Sequence, residues 1–126
     1  MVFNADGSLY MSLGTPGADM QTQALIQVLL NHIVFGMDIQ TAIEQPRFRS
    51  LNLPDSFSPH SYSPATLHLE KTLYDQIANR LDDKGYELKQ YDDLHNHFSA
   101  VGAIITQDGK LLAGADPRES TMARGR

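Results

Sequence analysis

A six-residue turn, Gly14–Asp19, constrains the fold of this chain more than any other stretch. A short apolar strand, Leu9–Leu13, runs into the turn, and an apolar helix, from about Met20 to Phe35, runs out of it. Pro16 fixes its own φ and lacks a backbone donor, whereas Gly17 can adopt backbone angles closed to other residues. A strand, a glycine turn and a helix N-terminus together favour a site where backbone N–H groups hold an anion or a developing oxyanion. An ordinary strand-to-helix corner is the alternative that the residues alone leave open.

Hydrophobic spacing predicts three helices. The first carries apolar residues on more than one stripe, so we expect it to be buried on most sides. Thr72 and Asp75 have capping-box spacing in the third, and one face of that helix should pack on the body. The helices are expected at about Met20–Phe35, between a cap at Asp38 and a stop at Pro46, and at about Glu70–Lys84.

Strand and turn signals complete an α+β domain that we expect to cover residues 1–126. Gly7 suits a positive φ in a first hairpin, and Asp108-Gly109 is a strong signal for a second. The proline-rich segment Arg47–Pro64 is expected to be an ordered loop, and residues 116–126 an irregular tail. The strands are expected at Val2–Phe3, Ser8–Leu13, Thr66–Leu69, Tyr86–Tyr91, Ser99–Thr106 and Leu111–Ala115.

Composition excludes several classes of function. The chain has 126 residues, a net charge of −5 and no basic stripe, so neither nucleic acid nor an anionic membrane is an expected partner. It has no cysteine, which removes disulfides, thiolate catalysis and Cys-ligated zinc. Met1–Asn4 does not begin a signal peptide, and the short strand there needs neighbours, so we expect a further segment upstream. The compartment is left undecided.

Histidines and arginines are the other candidate site residues. His95 and His97 would point to one side of a strand, as a metal-binding pair would, but no third ligand lies nearby in the sequence, and we expect no cofactor. Arg47 and Arg49 could hold a substrate carboxylate, although a salt bridge that packs their loop onto the body is the favoured interpretation. Arg118 is expected to lock the tail.

Motifs along the whole chain resemble the small-subunit end of the γ-glutamyltransferase family, including its acylase-like members. Each motif is short, but their order and spacing are specific. Three motifs resemble the acylase-like branch, namely Pro54–Phe57, Pro59-His60 and Leu67–Glu70. The others are Asp6-Gly7, Gly14–Asp19, Gln21, Gln23, Leu25–Asn31, Phe35–Met37, Ala42, Pro46–Phe48, Asp108-Gly109 and Gly114–Arg118.

The resemblance implies an N-terminal-nucleophile hydrolase fold, a four-layer αββα sandwich matured by self-cleavage. In such enzymes a Thr at the start of the small subunit attacks a γ-glutamyl amide, with its own amine as base. That Thr should lie upstream of Met1, and Thr15, Thr22 and Thr41 cannot replace it because an internal Thr lacks the free amine. The implied partners are the large subunit, the N-terminal part of the small subunit and a γ-glutamyl or related acyl amide; oligomerisation is left open.

The family's Pro-Gly-Gly turn supplies two backbone N–H groups as an oxyanion hole, and these match Gly17 and Ala18. Where the family usually has a second glycine, Ala18 keeps the N–H but adds a Cβ. By itself the chain is expected to be inactive. A non-catalytic, partner-binding α+β domain is the alternative from a different class.

Overall fold

Two β-sheets organise the computed structural model, which describes residues 1–125. The strands are β1 Val2–Phe3, β2 Leu9–Gly14, β3 Phe48–Ser50, β4 Thr66–Glu70, β5 Glu87–Tyr91, β6 Gly102–Gln107 and β7 Lys110–Ala115, and the helices are α1 Met20–Leu29, α2 Ile39–Glu44 and α3 Lys71–Asp82. One sheet has the order β1-β2-β6-β7, and the other has the order β3-β4-β5. In the part of the chain that the structure describes, no helix is long and apolar enough to cross a membrane.

The four-stranded sheet is antiparallel and is built from the two predicted hairpins. Gly7 has a φ of 84° in the first turn, and Asp108 and Gly109 have φ values of 51° and 72° in the second. Both turns thus use the left-handed region that their residues favour. β2 and β6 join the hairpins with Met11 opposite Ile105, and both side chains are buried in the core.

Helix α1 packs one apolar stripe on this core. Met20, Ala24 and Val28, spaced four residues apart, are buried. On another face of α1, Ile26 is 50% exposed, and in the rest of the predicted helix Ile33 is 53% and Phe35 is 67% exposed. The expectation that the helix is buried on most sides was therefore wrong for this chain, because only one of its faces has a sheet to pack on.

The end of the first predicted helix is a π-helical turn, Leu30–Val34, which follows α1. The ring of His32 lies inside this turn, with Nδ1 2.7 Å from the carbonyl oxygen of Met37 and Nε2 2.6 Å from the hydroxyl of Tyr10. Because a carbonyl only accepts, Nδ1–H donates to Met37 and Tyr10 donates to Nε2. The turn is thereby tied to β2, and the prediction of a regular α-helix to residue 35 was wrong in its last turn.

Two glutamines on α1 complete the second sheet. The side chain of Gln27 bonds both backbone groups of Phe48, at 3.0 and 2.9 Å, and that of Gln23 bonds both backbone groups of Ser50, at 2.7 and 3.0 Å. They replace a neighbouring strand along one edge of β3. The prediction of a loop throughout Arg47–Pro64 was wrong here, because the partners of this strand are distant in the sequence.

The helix caps follow the sequence in one case and depart from it in the other. Asp38 accepts a hydrogen bond from the N–H of Thr41 at 3.0 Å, as predicted for the start of α2. In α3 the capping box was wrong: Thr72 donates its N–H and its hydroxyl to Asp93, at 2.9 and 2.6 Å. Asp75 instead pairs with a lysine one turn earlier. The cap of α3 is therefore supplied from the end of β5.

Candidate functional site

The turn between β2 and α1 has an unusual backbone. Gly17 has a φ of 118° and Ala18 a φ of 49°. Their carbonyl oxygens accept the first hydrogen bonds of α1, from Met20 and Gln21, both at 3.0 Å. Within residues 1–125 neither the N–H of Gly17 nor that of Ala18 donates to another group. Both residues are exposed, so the turn presents two unused backbone donors at a helix N-terminus.

The turn is braced from behind by the segment that leads into β6. Thr15 accepts a hydrogen bond from the N–H of Ala100 at 3.1 Å. Ser99 lies against Gly17 so closely that a Cβ on Gly17 would be 2.2 Å from the Ser99 hydroxyl oxygen. Gly17 must therefore be glycine for two reasons, its φ and this contact.

Ser99 is itself strained and buried. It has a φ of 63° and is only 4% exposed, and its hydroxyl has no hydrogen-bond partner among the described residues. The left-handed φ interrupts the extended chain, so the strand predicted from Ser99 begins only at Gly102. Strain and an unpaired hydroxyl beside two free amides mark this corner as a candidate site.

An acidic residue fixes the turn to the long loop after β3. Asp19 accepts hydrogen bonds from the N–H of Ser56, at 2.8 Å, and from its hydroxyl. These bonds lower the pKa of the Asp19 carboxyl, and the positive charge of Arg49 lowers it further. Asp19 therefore stays ionised and holds the loop over the start of α1.

A cleft of about 770 Å³ opens beside the turn. Ala18 lies at its edge, Arg49 contributes from β3, and His68 and His97 form part of the wall. A cleft of this size accommodates a small-molecule substrate. The remaining lining residues are Asp19, Gln21, Thr22, Gln23, Ser50, Leu51, Leu53, Pro54, Asp55, Ser56, Ser61 and Ser63.

The two arginines of the segment after α2 have different roles. Arg47 is 1% exposed and forms a salt bridge with Asp116 at 2.7 Å, so the prediction of a structural ion pair is confirmed for this residue. For Arg49 that prediction was wrong. In the described part of the chain its guanidinium has neither a hydrogen bond nor an acidic partner, and its Nε is buried without one.

Four charged side chains form a buried cluster that does not line the cleft. Arg118 binds Glu70 at 2.5 Å and Asp116 at 3.1 Å, and Asp116 also binds Arg47. Burial lowers the pKa of Arg47, as does the charge of Arg118, while Asp116 opposes the change. The cluster joins β4, the exit from α2 and the chain after β7, which confirms that Arg118 locks the tail. Arg126, the last residue of that predicted tail, lies outside the described residues.

The histidines pack together with an aromatic ring. His68 Nδ1 and His97 Nε2 are 2.8 Å apart, and the His97 ring stacks on Tyr91 with ring centroids 4.5 Å apart. Burial and the charge of Arg49 lower the pKa of His97 to about 4, and burial and Lys89 lower that of His68. Both rings are neutral near pH 7. Residues 1–125 contain no group of three side chains arranged to hold a metal ion.

The family model described as Gamma-glutamyltranspeptidase matches residues 1–125. The chain belongs to this family. The family assignment agrees with the order of motifs along the sequence, from Gly14–Asp19 to Gly114–Arg118.

Two curated relatives of this family member are much longer. The present chain is 27% identical over 113 residues to the glutathione hydrolase proenzyme of Escherichia coli (strain K12). The aligned residues cover 90% of this chain and 17% of the relative. The chain is 29% identical over 116 residues to the oxamate amidohydrolase proenzyme of Klebsiella pneumoniae subsp. pneumoniae, covering 91% of this chain and 21% of the relative. The chain thus spans about a fifth of the length of either relative.

Solved structures establish the fold. The gamma-glutamyltranspeptidase from Pseudomonas nitroreducens complexed with L-DON has a TM-score of 0.78 at 22% identity, over 100% of this chain and 60% of that chain. The cephalosporin acylase from Bacillus halodurans has a TM-score of 0.72 at 24% identity, over 90% of this chain and 19% of that chain. The fold is therefore α+β and part of an N-terminal-nucleophile hydrolase αββα sandwich, as the resemblance implied.

Sequence reasoning placed Gly17 and Ala18 at a site but missed much of what surrounds them. The neighbours Ser99 and His68 come from distant parts of the chain, and His97 was considered only as one of a possible metal-binding pair. One signal was available for His68, because the alternation in β4 puts it on the face opposite the buried Leu69. No local pattern pointed to Ser99.

Proposed function

We propose that this chain supplies the oxyanion hole of a γ-glutamyltransferase-like enzyme that cleaves γ-glutamyl or related acyl amides. The observation that carries the proposal is the pair of unused N–H groups on the adjacent residues Gly17 and Ala18, of which Ala18 lines the cleft. Preorganised backbone donors stabilise the negative oxygen that forms when an amide carbonyl is attacked, and one such donor contributes about 3 kcal/mol. The dipole of α1 adds to this effect, because its positive end lies at the same place.

The nucleophile belongs to an upstream segment in this proposal. Its Thr hydroxyl attacks the substrate carbonyl, and the proton passes to the free amine of the same Thr. The tetrahedral oxyanion then collapses, and the amine portion of the substrate leaves with the proton that the Thr amine had accepted. Water or a second amine then takes the acyl group from the Thr. Thr15 is unsuited to this role, because its hydroxyl donates to the Pro16 carbonyl at 2.9 Å and accepts from Ala100.

Ala18 is compatible with this function despite its side chain. Its φ of 49° shows that the residue adopts the left-handed conformation that the turn needs. For a residue with a Cβ that conformation costs about 1 to 2 kcal/mol. The N–H is retained, so the donor is retained.

The exposed apolar surface after α1 supports an assembly with the rest of a precursor. Ile33, Val34 and Phe35 are 53%, 64% and 67% exposed, and Ile26 is 50% exposed. Large apolar side chains exposed this close together in the sequence favour burial against protein. We assign this surface to the large subunit and the N-terminal part of the small subunit.

The names of the relatives guide the choice of substrates. Glutathione hydrolase, oxamate amidohydrolase and cephalosporin acylase are names of proteins that act on different substrates. The complete protein should therefore be assayed on a γ-glutamyl amide, a glutaryl amide and oxamate. Mass spectrometry of its mature chains should find a Thr at a processed N-terminus, and single-turnover mixing should leave the acyl group on that peptide.

A matched pair of variants ties activity to the turn. Ala18→Gly should preserve or raise kcat, and Gly7→Ala, on a hairpin with open space around it, should leave kcat unchanged. Hydrolysis of none of the substrates, or an unprocessed chain that starts at Met1, would contradict the proposal. Either result would favour the alternative, a non-catalytic domain that binds partners through its exposed helix face.

A further inference from the structure

Arg49 is an unsatisfied cation in the wall of the cleft. Its Nε is buried and has no partner within residues 1–125, and none of the described acidic side chains forms an ion pair with it. A guanidinium is always charged at physiological pH, and a partly buried charge without a partner is costly. The Nε of Arg47 is also buried without a partner, but its two terminal nitrogens bind Asp116 and backbone carbonyl oxygens. Arg49 differs because none of its guanidinium nitrogens has a hydrogen bond or an ion pair among the described residues.

The surroundings of Arg49 add no second fixed cation to the lining. His68 and His97 lie beside it in the lining and are neutral near pH 7, since burial and the neighbouring positive charges oppose their protonation. Lys89, which also acts on these histidines, does not line the cleft. Arg49 therefore provides the one fixed positive charge among the lining residues that the structure describes.

The acidic groups in the lining are already in use. Asp19 is bound by the N–H and hydroxyl of Ser56, and Asp55 accepts from the N–H of Phe57 at 2.8 Å. Neither carboxylate comes within ion-pair distance of Arg49. The charge of Arg49 is thus left for a group that enters the cleft.

We propose that Arg49 forms a subsite for a carboxylate of the substrate, so that the cleft selects amides with a carboxylate on either their acyl or their amine portion. The inference rests on the proposed function, because Ala18 and Arg49 line the same cleft. A guanidinium binds a carboxylate through two parallel hydrogen bonds and gains both charge and orientation from them. A carboxylate seated there fixes the rest of the amide beside the oxyanion turn, where reaction requires it.

The test compares charged and neutral substrates in the complete protein. The two amide substrates of the first pair differ only on the acyl portion, where one has a carboxylate and the other a carboxamide. The two substrates of the second pair differ in the same way on the amine portion. The wild type should prefer the carboxylate in at least one pair. Arg49→Gln should lower kcat/KM for that carboxylate substrate by about 10- to 100-fold, as expected for a hydrogen bond to a charged group. The same variant should change kcat/KM for the neutral substrate by less than about 3-fold.

Two further variants make the result specific to Arg49. Arg49→Lys keeps the charge without the paired donors and should restore part of the preference. Lys89→Gln removes a nearby cation that does not line the cleft and should leave the preference unchanged. An equal effect of Arg49→Gln on charged and neutral substrates, or no effect on either, would overturn the proposal. The pair that responds identifies the portion that carries the carboxylate.

A binding measurement separates this inference from the proposed function. Titration of the complete protein with glutarate should saturate and shift the NMR signal of the Arg49 Nε–H, whereas glutaramide should not. Arg49→Gln should abolish glutarate binding by calorimetry. If the protein cleaves no amide but glutarate still binds through Arg49, the subsite stands and the proposed catalysis fails. If glutarate does not bind and Arg49→Gln changes the preference in neither substrate pair, the subsite is refuted whatever the activity.

Discussion

Replacing Gly17 by Ala should be strongly destabilising, because the new Cβ meets Ser99. The structure gives the added carbon a distance of 2.2 Å to the Ser99 hydroxyl oxygen and 3.3 Å to the Ser99 Cβ. Overpacking of this kind costs about 1 to 3 kcal/mol. The φ of 118° at Gly17 adds a conformational penalty of about 1 to 3 kcal/mol for any residue with a Cβ. Together they predict a loss of about 2 to 6 kcal/mol in the free energy of unfolding.

A double-mutant cycle separates the two causes. Ser99→Ala removes the hydroxyl oxygen at 2.2 Å and leaves the carbon at 3.3 Å, so the contact becomes tight rather than impossible. In that background Gly17→Ala should cost about 1 to 3 kcal/mol less than in the wild type. The conformational part of the cost should remain, because Ser99→Ala does not change φ at Gly17.

Gly7→Ala is the matched control. Gly7 also has a positive φ, of 84°, but a Cβ there meets nothing within 4 Å. Its cost should be the conformational part alone, about 1 to 2 kcal/mol. All variants are compared by urea unfolding of the complete protein, with kcat measured in parallel. Equal costs for the two glycines, or a coupling energy near zero with Ser99→Ala, would refute the role assigned to the Ser99 contact.

Three other perturbations test separate parts of the structure. Ala18→Gly should keep the free energy of unfolding within about 1 kcal/mol, since relief of the left-handed φ is offset by the entropy of glycine, and kcat should not fall. A clear fall in kcat would contradict the role of this residue. Arg118→Met leaves Glu70 buried without its cation and removes one of the two cations that bind Asp116, so it should cost about 3 to 5 kcal/mol in urea unfolding. Lys71→Met, which breaks the exposed pair with Asp75, should cost less than about 1 kcal/mol. Equal losses of unfolding free energy for Arg118→Met and Lys71→Met would contradict the stabilising role of the buried cluster. The pKa of His97 falls from 6.5 to about 4 on folding, so the folded state binds a proton less readily than the unfolded state. The free energy of unfolding that neutral His97 contributes is therefore fully present above pH 6.5 and is lost as the pH falls through 4. The difference between these two pKa values limits the contribution of His97 to the free energy of unfolding to about 3 kcal/mol. Partial solvent access to the ring reduces it to about 1 to 2 kcal/mol. His97→Gln should flatten the fall in unfolding free energy over this range, and an unchanged slope would contradict it.

Local signals predicted the features whose causes lie within a few residues. The hairpin at Asp108-Gly109 and the cap at Asp38 depend on the backbone and side chains of adjacent residues, and both are confirmed. The turn at Gly17 was likewise visible, because a proline, a glycine and a following apolar helix stand next to one another. These features need no knowledge of the tertiary structure.

The errors share one physical cause, namely partners that are distant in the sequence. β3 pairs with β4, which follows the long loop, and Gln23 and Gln27 bond its other edge from 27 and 21 residues away. The cap of α3 comes from Asp93, 21 residues beyond Thr72. The π-helical turn is held by a bond to β2 across 22 residues. Hydrophobic periodicity contains none of this information.

The same limit applies to the candidate site. Sequence spacing identified Arg47 and Arg49 as a pair, but their different roles depend on where Asp116 lies in the fold. Only Arg47 reaches that carboxylate, so Arg49 is left facing the cleft. The function of such residues follows from which partner is absent as much as from which is present.

A crystal structure of the complete protein with a covalent acyl adduct tests the central claim most directly. The adduct should sit on an N-terminal Thr, and its oxygen should lie about 2.7 to 3.1 Å from the backbone nitrogens of Gly17 and Ala18. An adduct oxygen held by other groups, with both nitrogens beyond hydrogen-bond distance, would contradict the assignment of this turn as the oxyanion hole.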